Sequence, residues 1–281
     1  MIPLLSVVVP TFNSQGCVAA LLQSLVAQNF RDFEVIVSDG ASTDQTLATV
    51  QQYSHRLPRL QVSSRPDGGV YDAINRGLAL TQGRWLLVMG SDDRLHASGT
   101  LAAAAAHLTD NPAALVYGDV RMMASNNNGV PVGGRYIGPL ALDQLLVRNI
   151  CQQAIFYRRS LFDRQGIFDQ RYRLHADWDF NLRVALAGET LMWIDLVVAD
   201  YAATGISTNA RDEAFEHDMP AKLRRALLRR PNDRALWPLH RRLLRSADAL
   251  RRRGRWGAAL AQVGASITLA ARRQAAILLR R

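Results

Sequence analysis

Two adjacent carboxylates, Asp92 and Asp93, are the residues best suited to chemistry, because they follow a short apolar run at 85–89 after Gly90 and Ser91. The run predicts a buried strand, and in an open parallel sheet ligands bind outside the carboxyl ends of the strands. Two carboxylates there suit a hard divalent cation, which prefers oxygen ligands and bridges to phosphates. Asp and Ser are also common in turns, so this stretch alone leaves metal–phosphate chemistry and an ordinary turn equally open.

Similar polar clusters follow two earlier apolar runs. Thr11 and Asn13 come after the run at 4–9, and residues 39–44, which include Asp39, come after the run at 33–37. Each cluster alone fits a helix cap, but three at corresponding positions favour a nucleotide-phosphate site. The sequence has no GxGxxG after the first strand and no GxxxxGK(S/T), which argues against a dinucleotide oxidoreductase and a P-loop enzyme.

The elements that would position these clusters alternate between strands and helices, which predicts a doubly wound, mainly parallel α/β sheet. The predicted strands cover residues 4–9, 33–37, 60–63, 85–89, 114–117, 151–157 and 191–198. The predicted helices run through 18–26, 46–50, 71–81, 97–110, 158–166 and 174–186. Asn13 or Ser14 is predicted to cap the first helix, and Thr43 or Asp44 the second. A polar loop at 125–134 is predicted to close over a substrate, and a second lies at 201–208.

Five segments, taken in order, resemble glycosyltransferase family 2, whose members have the GT-A fold. They are SVVVPTFN, SDGASTD, DGGVYDAINRG, SDD and ADWD, at residues 6–13, 38–44, 67–77, 91–93 and 176–179. The match covers roughly residues 1–210, and the ordered set is specific where each motif alone is weak. The third segment and residues 153–160 look most like bacterial members that assemble O-antigen lipopolysaccharide, capsule or exopolysaccharide.

The resemblance implies a role for each matching residue. Asp93 would hold the metal, Mn²⁺ or Mg²⁺, on the donor diphosphate, and Asp177 would be the general base. Asp177 also falls in the first turn of a predicted helix, where the helix dipole alone favours a carboxylate. Thr11 and Asp39 would contact the nucleotide base, and Asp92 would lie near the ribose. The residues implied in donor binding are Pro10, Thr11, Asn13, Asp39, Asp67, Asp72, Asn75, Ser91 and Asp92.

The sequence departs from the family pattern at two places. Gly40 and Ala41 stand where the commoner form has Asp-Gly before the serine, and Gln152 stands where relatives often have His. Any role for an imidazole at the second place is therefore lost.

These residue types fit one reaction. A sugar diphosphate leaving group develops negative charge as the glycosidic bond breaks, and a divalent ion stabilises that charge. A carboxylate can take the proton of the acceptor hydroxyl. One base and one metal suffice for single displacement with inversion, so the sequence predicts an inverting, metal-dependent transferase. The expected substrates are a nucleotide sugar, with a UDP-linked donor favoured, and a glycan or polyprenyl-diphosphate-linked acceptor.

The charge is uneven along the chain. Residues 221–281 carry 17 Lys or Arg against 2 Asp or Glu, whereas the whole chain has a net charge of +10. We therefore predict a catalytic domain over 1–215 and a basic helical extension over 216–281, with helices on both sides of Pro231. The uncharged run at 256–271 has 16 residues, fewer than the roughly 20 that span a bilayer. A helix on an anionic membrane surface is favoured over a basic face packed on protein.

Two widely separated cysteines, Cys17 and Cys151, predict reduced thiols, as in a cytoplasmic protein. The N-terminus lacks a secretory pattern, so the predicted location is the cytoplasmic face of the plasma membrane. Two alternatives stay open at this point: a nucleotidyltransferase on a similar sheet, and a nucleic-acid-binding protein led by the arginine-rich tail. A nucleotidyltransferase could share the acidic metal site but would need basic residues in a Gly-rich loop after the first strand, and residues 11–16 contain none. The nucleic-acid-binding alternative leaves the carboxylate clusters unexplained, and no nucleic-acid partner is predicted.

Overall fold

The computed structural model describes residues 2–124, 130–146, 148–202 and 211–229, together with Arg252 and Gly254. The chain divides into two compact units, one formed by residues 1–140 and 149–211 and the other by 141–148 and 212–281. In the second unit the described elements are helices α5 (Leu142–Leu145) and α8 (Glu213–Arg229). All other elements belong to the first unit. The tail helices predicted beyond Pro231, half of the loop at 125–134 and most of the loop at 201–208 lie outside the described residues.

The first unit contains a nine-stranded mixed sheet in the order β3-β2-β1-β4-β8-β6-β9-β5, with β7 paired to β6. Its strands are β1 (Leu5–Thr11), β2 (Phe33–Asp39), β3 (Leu60–Ser64), β4 (Trp85–Val88), β5 (Arg94–Leu95), β6 (Leu115–Met122), β7 (Arg135–Tyr136), β8 (Ile155–Arg158) and β9 (Leu191–Tyr201). The four strands β3, β2, β1 and β4 are mutually parallel, as are β6 and β9. Strand β8 is antiparallel to both of its neighbours.

Helices lie between strands along the chain, and the first three connect the parallel strands β1 to β4. The helices of this unit are α1 (Val18–Val26), α2 (Thr46–Gln51), α3 (Val70–Leu80), α4 (Thr100–Leu108), α6 (Ser160–Gln165) and α7 (Ala176–Leu186). Every residue of β1, β2 and β4 is buried, as expected for parallel strands that are covered on both faces. Within the described residues, no helix is long and apolar enough to cross a membrane.

Strand register brings the polar clusters together. Thr11 pairs with Asp39 at the carboxyl ends of β1 and β2, and Pro10 pairs with Ser38 one step earlier. Because β4 runs parallel to β1 on its other side, the residues that follow β4 emerge at the same edge of the sheet. The predicted alternation and the three clusters at one edge are thus confirmed.

Several local predictions were wrong. Helix α1 begins at Val18 with Cys17 at its N-cap and no side-chain cap, because Ser14 accepts from the Val18 amide through its backbone carbonyl rather than its hydroxyl. The N-cap of α2 is Gln45, although Asp44 Oδ1 accepts from the Thr46 amide at 2.9 Å.

Other element boundaries also differ. The residues before Ile155, predicted as strand, include a 3₁₀ turn (Gln152–Ala154). Helix α4 begins at Thr100 rather than at 97, and α8 begins before Pro220 and includes it. The two-residue strands β5 and β7 were not predicted, because their pairing is decided by the longer strands beside them.

Candidate active site

Asp39, the last residue of β2, accepts four hydrogen bonds from protein groups. Its Oδ1 accepts from Thr11 Oγ1 at 2.9 Å and from Ser42 Oγ at 2.5 Å. Its Oδ2 accepts from the Ser42 amide at 2.8 Å and from Ser64 Oγ at 2.7 Å. Burial raises the pKa of Asp39, but these hydrogen bonds outweigh it and hold the pKa below its usual value. Asp39 is 0% exposed, so a nucleotide base would contact it only by replacing one of these donors.

The loops after β1 and β2 are bonded to each other. The Asn13 amide donates to Ser42 Oγ at 2.8 Å, and Asn13 Oδ1 accepts from the Thr43 amide at 3.0 Å. Asn13 has a φ of 47°, a left-handed conformation that Asn tolerates better than most residues. Ser91, after β4, joins the same loop because its hydroxyl lies 2.9 Å from Ser14 Oγ. The three polar clusters therefore form one connected rim.

Asp67 lies against this rim. An added Cβ on Gly40 would lie 2.5 Å from Asp67 Oδ2. Asp67 also forms an ion pair with Arg76 at 3.2 Å and accepts from the Gly69 amide at 2.9 Å. Glycine at position 40, where the commoner family form has Asp, is therefore needed to leave room for the Asp67 carboxylate. The next residue, Ala41, has a φ of 65°.

Asp72 and Asn75, both on α3, contact protein groups. Asp72 Oδ2 accepts from the Gly68 amide at 3.0 Å, and its Oδ1 accepts from Gln170 Nε2 at 3.3 Å. Asn75 donates to the Phe168 carbonyl at 2.8 Å and accepts from the Phe168 amide at 3.1 Å. Both side chains thus fix the loop at 168–170 against α3, and their part in donor binding stays a prediction.

Asp92 and Asp93, the carboxylates that follow β4, both lie close to Gly90. An added Cβ on Gly90 would lie 2.9 Å from Asp92 Oδ1 and 3.0 Å from Asp93 Oδ2. Asp92 is exposed, whereas Asp93 is buried and accepts from Gln153 Nε2 at 3.3 Å. Burial, and after it the charge of Asp92, raises the pKa of Asp93 to about 8.

This pair fits a metal that binds together with its substrate. In the part of the chain that the structure describes, no three His, Cys, Asp or Glu side chains converge on one point. One or two carboxylates suffice for Mg²⁺ when substrate phosphates supply the other ligands. A cation there would also offset two negative charges, one of which is buried.

Asp177 lies in the first turn of α7 and is buried. Its Oδ1 accepts from Tyr71 Oη at 2.7 Å, and its Oδ2 accepts from Asn149 Nδ2 at 2.6 Å. Burial raises the pKa of Asp177, and the hydrogen bonds from Tyr71, the Trp178 amide and Asn149 offset this rise in part. Asp177 is therefore a buried carboxylate with a raised pKa, as a general base at neutral pH requires.

One short segment, residues 149–153, is hydrogen-bonded to both Asp93 and Asp177. At one end Asn149 donates to Asp177, and at the other end Gln153 donates to Asp93. Between them, burial raises the pKa of the Cys151 thiol, and the charges of Asp93 and Asp177 raise it further. Both carboxylates are thus close to this segment. Gln152 Nε2, in the same segment, is a buried donor that has no hydrogen-bond partner among the described residues.

The family model "Glycosyl transferase family 2" matches residues 6–166 of the chain. The chain belongs to glycosyl transferase family 2. It is an enzyme of the GT-A fold, and both predictions made from the five motifs are confirmed. Family membership also decides against the nucleotidyltransferase and the nucleic-acid-binding protein.

Relatives of this family 2 enzyme are named for glycan synthesis. A "PGL/p-HBAD biosynthesis glycosyltransferase" of Mycobacterium tuberculosis is 42% identical over 228 residues, which cover 79% of this chain and 86% of the relative. The structure of Staphylococcus aureus TarS 1-349 in complex with UDP-GlcNAc aligns with a TM-score of 0.65 and 25% identity, over 81% of this chain and 66% of that one. The mannosyltransferase PcManGT from Pyrobaculum calidifontis, in complex with GDP-Man and Mn²⁺, aligns with a TM-score of 0.59 and 20% identity, over 96% of this chain and 87% of that one, and shows the shared fold.

In this family 2 enzyme the structure adds contacts that sequence reasoning missed. Tyr71 and Asn149 both bond Asp177, and Gln153 bonds Asp93. Tyr71 lies inside the third motif and Gln153 inside the stretch at 153–160, so both were within recognised segments. Asn149 lies in no motif, and only the fold brings it to α7.

Proposed function

We propose that this enzyme transfers a sugar from a UDP-linked donor to a glycan or polyprenyl-diphosphate-linked acceptor, with inversion and with a divalent metal, in bacterial surface polysaccharide synthesis. The observation that carries the proposal is the joint support of Asp93 and Asp177 by the segment at 149–153. A donor-side carboxylate and an acceptor-side base held by one segment suit a single displacement. The complex of TarS with UDP-GlcNAc supports a UDP-linked donor.

In this reaction Asp177 removes the proton of the acceptor hydroxyl. The acceptor oxygen forms a bond to the anomeric carbon, the bond from that carbon to the diphosphate oxygen breaks, and its electron pair leaves with the nucleotide. A divalent cation held by Asp93, with Asp92 beside it, would stabilise the charge of this leaving group. The rim formed by Thr11, Asn13 and Ser91 would hold the nucleotide end of the donor. Asp39 orients that rim through its bonds to Thr11 and Ser42.

A thermal-shift panel tests the donor and metal parts of the proposal. UDP, GDP, dTDP and CMP are each added with and without Mn²⁺ to wild type, Asp93→Asn and the exposed control Asp163→Asn. A ligand that binds only the folded state raises the melting temperature by mass action. We expect a metal-dependent rise with UDP that Asp93→Asn loses and Asp163→Asn keeps. No rise with any nucleotide diphosphate would overturn the proposal. The anomeric configuration of the product, read by NMR, tests inversion.

We also propose that residues 216–281 attach the enzyme to an anionic membrane surface on the cytoplasmic side, because residues 221–281 carry 17 basic against 2 acidic side chains. Each Lys or Arg near such a surface contributes about 1 kcal/mol, and salt weakens this attraction by screening. The full chain should bind vesicles that contain an anionic lipid, release them as salt increases, and ignore zwitterionic vesicles. Equal binding to zwitterionic vesicles, or stronger binding to duplex DNA, would contradict this.

A further inference from the structure

The hydroxyl of Tyr71 has one proton and two acceptors. Tyr71 Oη lies 2.7 Å from Asp177 Oδ1 and 3.0 Å from the carbonyl oxygen of Leu174. A phenol donates one hydrogen bond and accepts others, so it donates to one of these groups at a time. The carbonyl can only accept, whereas the carboxyl group can accept when ionised and donate when protonated.

The other carboxylate oxygen, Asp177 Oδ2, has a partner that can only donate to it. Asn149 Nδ2 donates to Asp177 Oδ2, while Asn149 Oδ1 accepts from Asn181 Nδ2 at 2.9 Å. Asn181 Oδ1 in turn accepts from Tyr157 Oη at 3.1 Å. Turning over the amide of Asn149 alone would bring two NH₂ groups together. Turning over both amides would take away the acceptor of the buried Tyr157 hydroxyl, so Asn149 remains a donor to Oδ2. The partner that can change its role is therefore Tyr71, at Oδ1.

We propose that Tyr71 is a positioning residue for the base Asp177, and that its hydroxyl reverses its hydrogen bond when Asp177 takes up a proton. With Asp177 ionised, Tyr71 donates to Oδ1. With Oδ1 protonated, Asp177 donates to the phenol oxygen, and Tyr71 donates to the Leu174 carbonyl. The proton gained is the one that the acceptor hydroxyl loses, and the phenol keeps its own. The inference rests on the proposed role of Asp177 as the base.

This reversal matters because the site is buried. Tyr71 and Asp177 are 7% and 8% exposed, and a polar group left without a hydrogen-bond partner at such a place destabilises the folded protein. With a partner that can donate or accept, Asp177 keeps both hydrogen bonds before and after proton uptake. Burial and the charge of Asp177 raise the pKa of Tyr71 well above its usual value, so its hydroxyl stays protonated throughout.

The groups that face Asp177 come from several elements. Tyr71 lies on α3, Tyr157 on β8, Cys151 before the 3₁₀ turn, and His175 at the N-cap of α7. Of these, Tyr71 makes a direct hydrogen bond to a carboxylate oxygen of Asp177, at 2.7 Å. Removing its hydroxyl takes a bond from both forms of Asp177, but the bond to the ionised carboxylate is charge-assisted and is the stronger one. The pKa of Asp177 should therefore rise further.

The test is the pH profile of kcat/KM for Tyr71→Phe, which keeps the ring against Phe168, 5.8 Å away between centroids. We expect the acid limb to move to higher pH by about one unit or more, with roughly a 10-fold loss below the limb and little loss on the plateau above it. The control is Tyr117→Phe, which removes a buried hydroxyl that accepts from the Leu140 amide and should leave the limb in place. A loss that is equal at every pH, or no change, would overturn the inference.

A second readout does not need turnover. A hydroxyl that stabilises ionised Asp177 contributes more to stability where that carboxyl is ionised. The melting temperature of Tyr71→Phe should therefore fall further below wild type as pH rises, and the double variant with Asp177→Asn should lose this dependence. An active Asp177→Asn enzyme would refute the base itself and with it the proposed mechanism, whereas an unmoved acid limb in Tyr71→Phe refutes only the reversal.

Discussion

Gly40 and Asp67 are in such close contact that the carboxylate occupies the place of a side chain at position 40. A Cβ there would lie 2.5 Å from Asp67 Oδ2, closer than any ordinary contact. Asp67 cannot simply turn away, because it is bonded to Arg76 and to the Gly69 amide. The position of Asp67 against the rim therefore depends on the absence of a Cβ at position 40.

Replacing Gly40 by Ala should displace Asp67 and weaken its ion pair with Arg76. Overpacking of this kind costs about 1–3 kcal/mol. The melting temperature should fall, and the affinity for UDP should fall with it. The matched control is Gly16→Ala, since an added Cβ at Gly16 meets nothing within 4 Å. If both variants have the same melting temperature, the contact between position 40 and Asp67 does not affect stability.

Ala41→Gly should not destabilise the enzyme, although Gly for Ala normally does. Ala41 has a φ of 65°, and an L-residue in the left-handed region costs roughly 1–2 kcal/mol. Relief of that strain offsets the entropy cost of Gly, about 0.5–1 kcal/mol. The comparison is Ala27→Gly, at a φ of −69°, which should lower the free energy of unfolding in a urea titration. Equal losses at the two positions would show that Ala41 is not strained.

Asp177→Asn should abolish activity without loss of stability. The new amide can accept from Asn149 with its oxygen and donate to the Tyr71 oxygen, while Tyr71 donates to Leu174, so each buried group keeps a partner. We expect kcat/KM to fall by at least about 100-fold. A folded protein with near-normal turnover would show that Asp177 is not the base.

The stability of this variant should also depend less on pH. Because burial raises the pKa of Asp177 in the folded state, the folded protein binds more protons than the unfolded chain between the ordinary and the raised pKa. The stability of wild type therefore falls as pH rises through that window. The melting temperature of Asp177→Asn minus that of wild type should increase across the window and then level off. A constant difference at all pH values would contradict the raised pKa.

Gly90→Ala should weaken metal binding while the sheet stays folded. The added Cβ would lie 2.9 Å from Asp92 Oδ1 and 3.0 Å from Asp93 Oδ2, so at least one carboxylate must turn. The thermal shift produced by Mn²⁺ with UDP should shrink markedly. Gly99→Ala, where a Cβ meets nothing within 4 Å, should keep the full shift. An unchanged shift in Gly90→Ala would place the metal elsewhere.

The sequence predicted the parallel half of the sheet well, because its signal is local. Strands β1, β2 and β4 are runs of apolar residues with polar residues directly after them, and such runs belong to buried parallel strands. The direction of β8 carries no such signal, since an apolar segment is equally compatible with either direction of pairing. The cap of α1 was wrong because Asn13 and Ser14 bond across to the loop after β2 and to Ser91 instead.

The sequence predicts the two carboxylates of the candidate site but not the residues that hold them in place. Motifs identify Asp93 and Asp177, whose charges the chemistry needs. The residues that hold them were harder to find, because hydrogen bonds such as the one from Asn149 to Asp177 join positions 28 residues apart. The same holds for Asn75, whose partner Phe168 is 93 residues away.

The segment at 149–153 limits where insertions and deletions can occur in this family. Its two ends are bonded to carboxylates on different elements, Asp177 on α7 and Asp93 after β4. Substitutions at intermediate positions such as Gln152 can leave both bonds in place, but inserting or deleting one residue must break at least one of them. Among active relatives with the same pair of carboxylates, gaps in aligned sequences should therefore fall outside these five positions, whereas the three residues between Asn149 and Gln153 can differ.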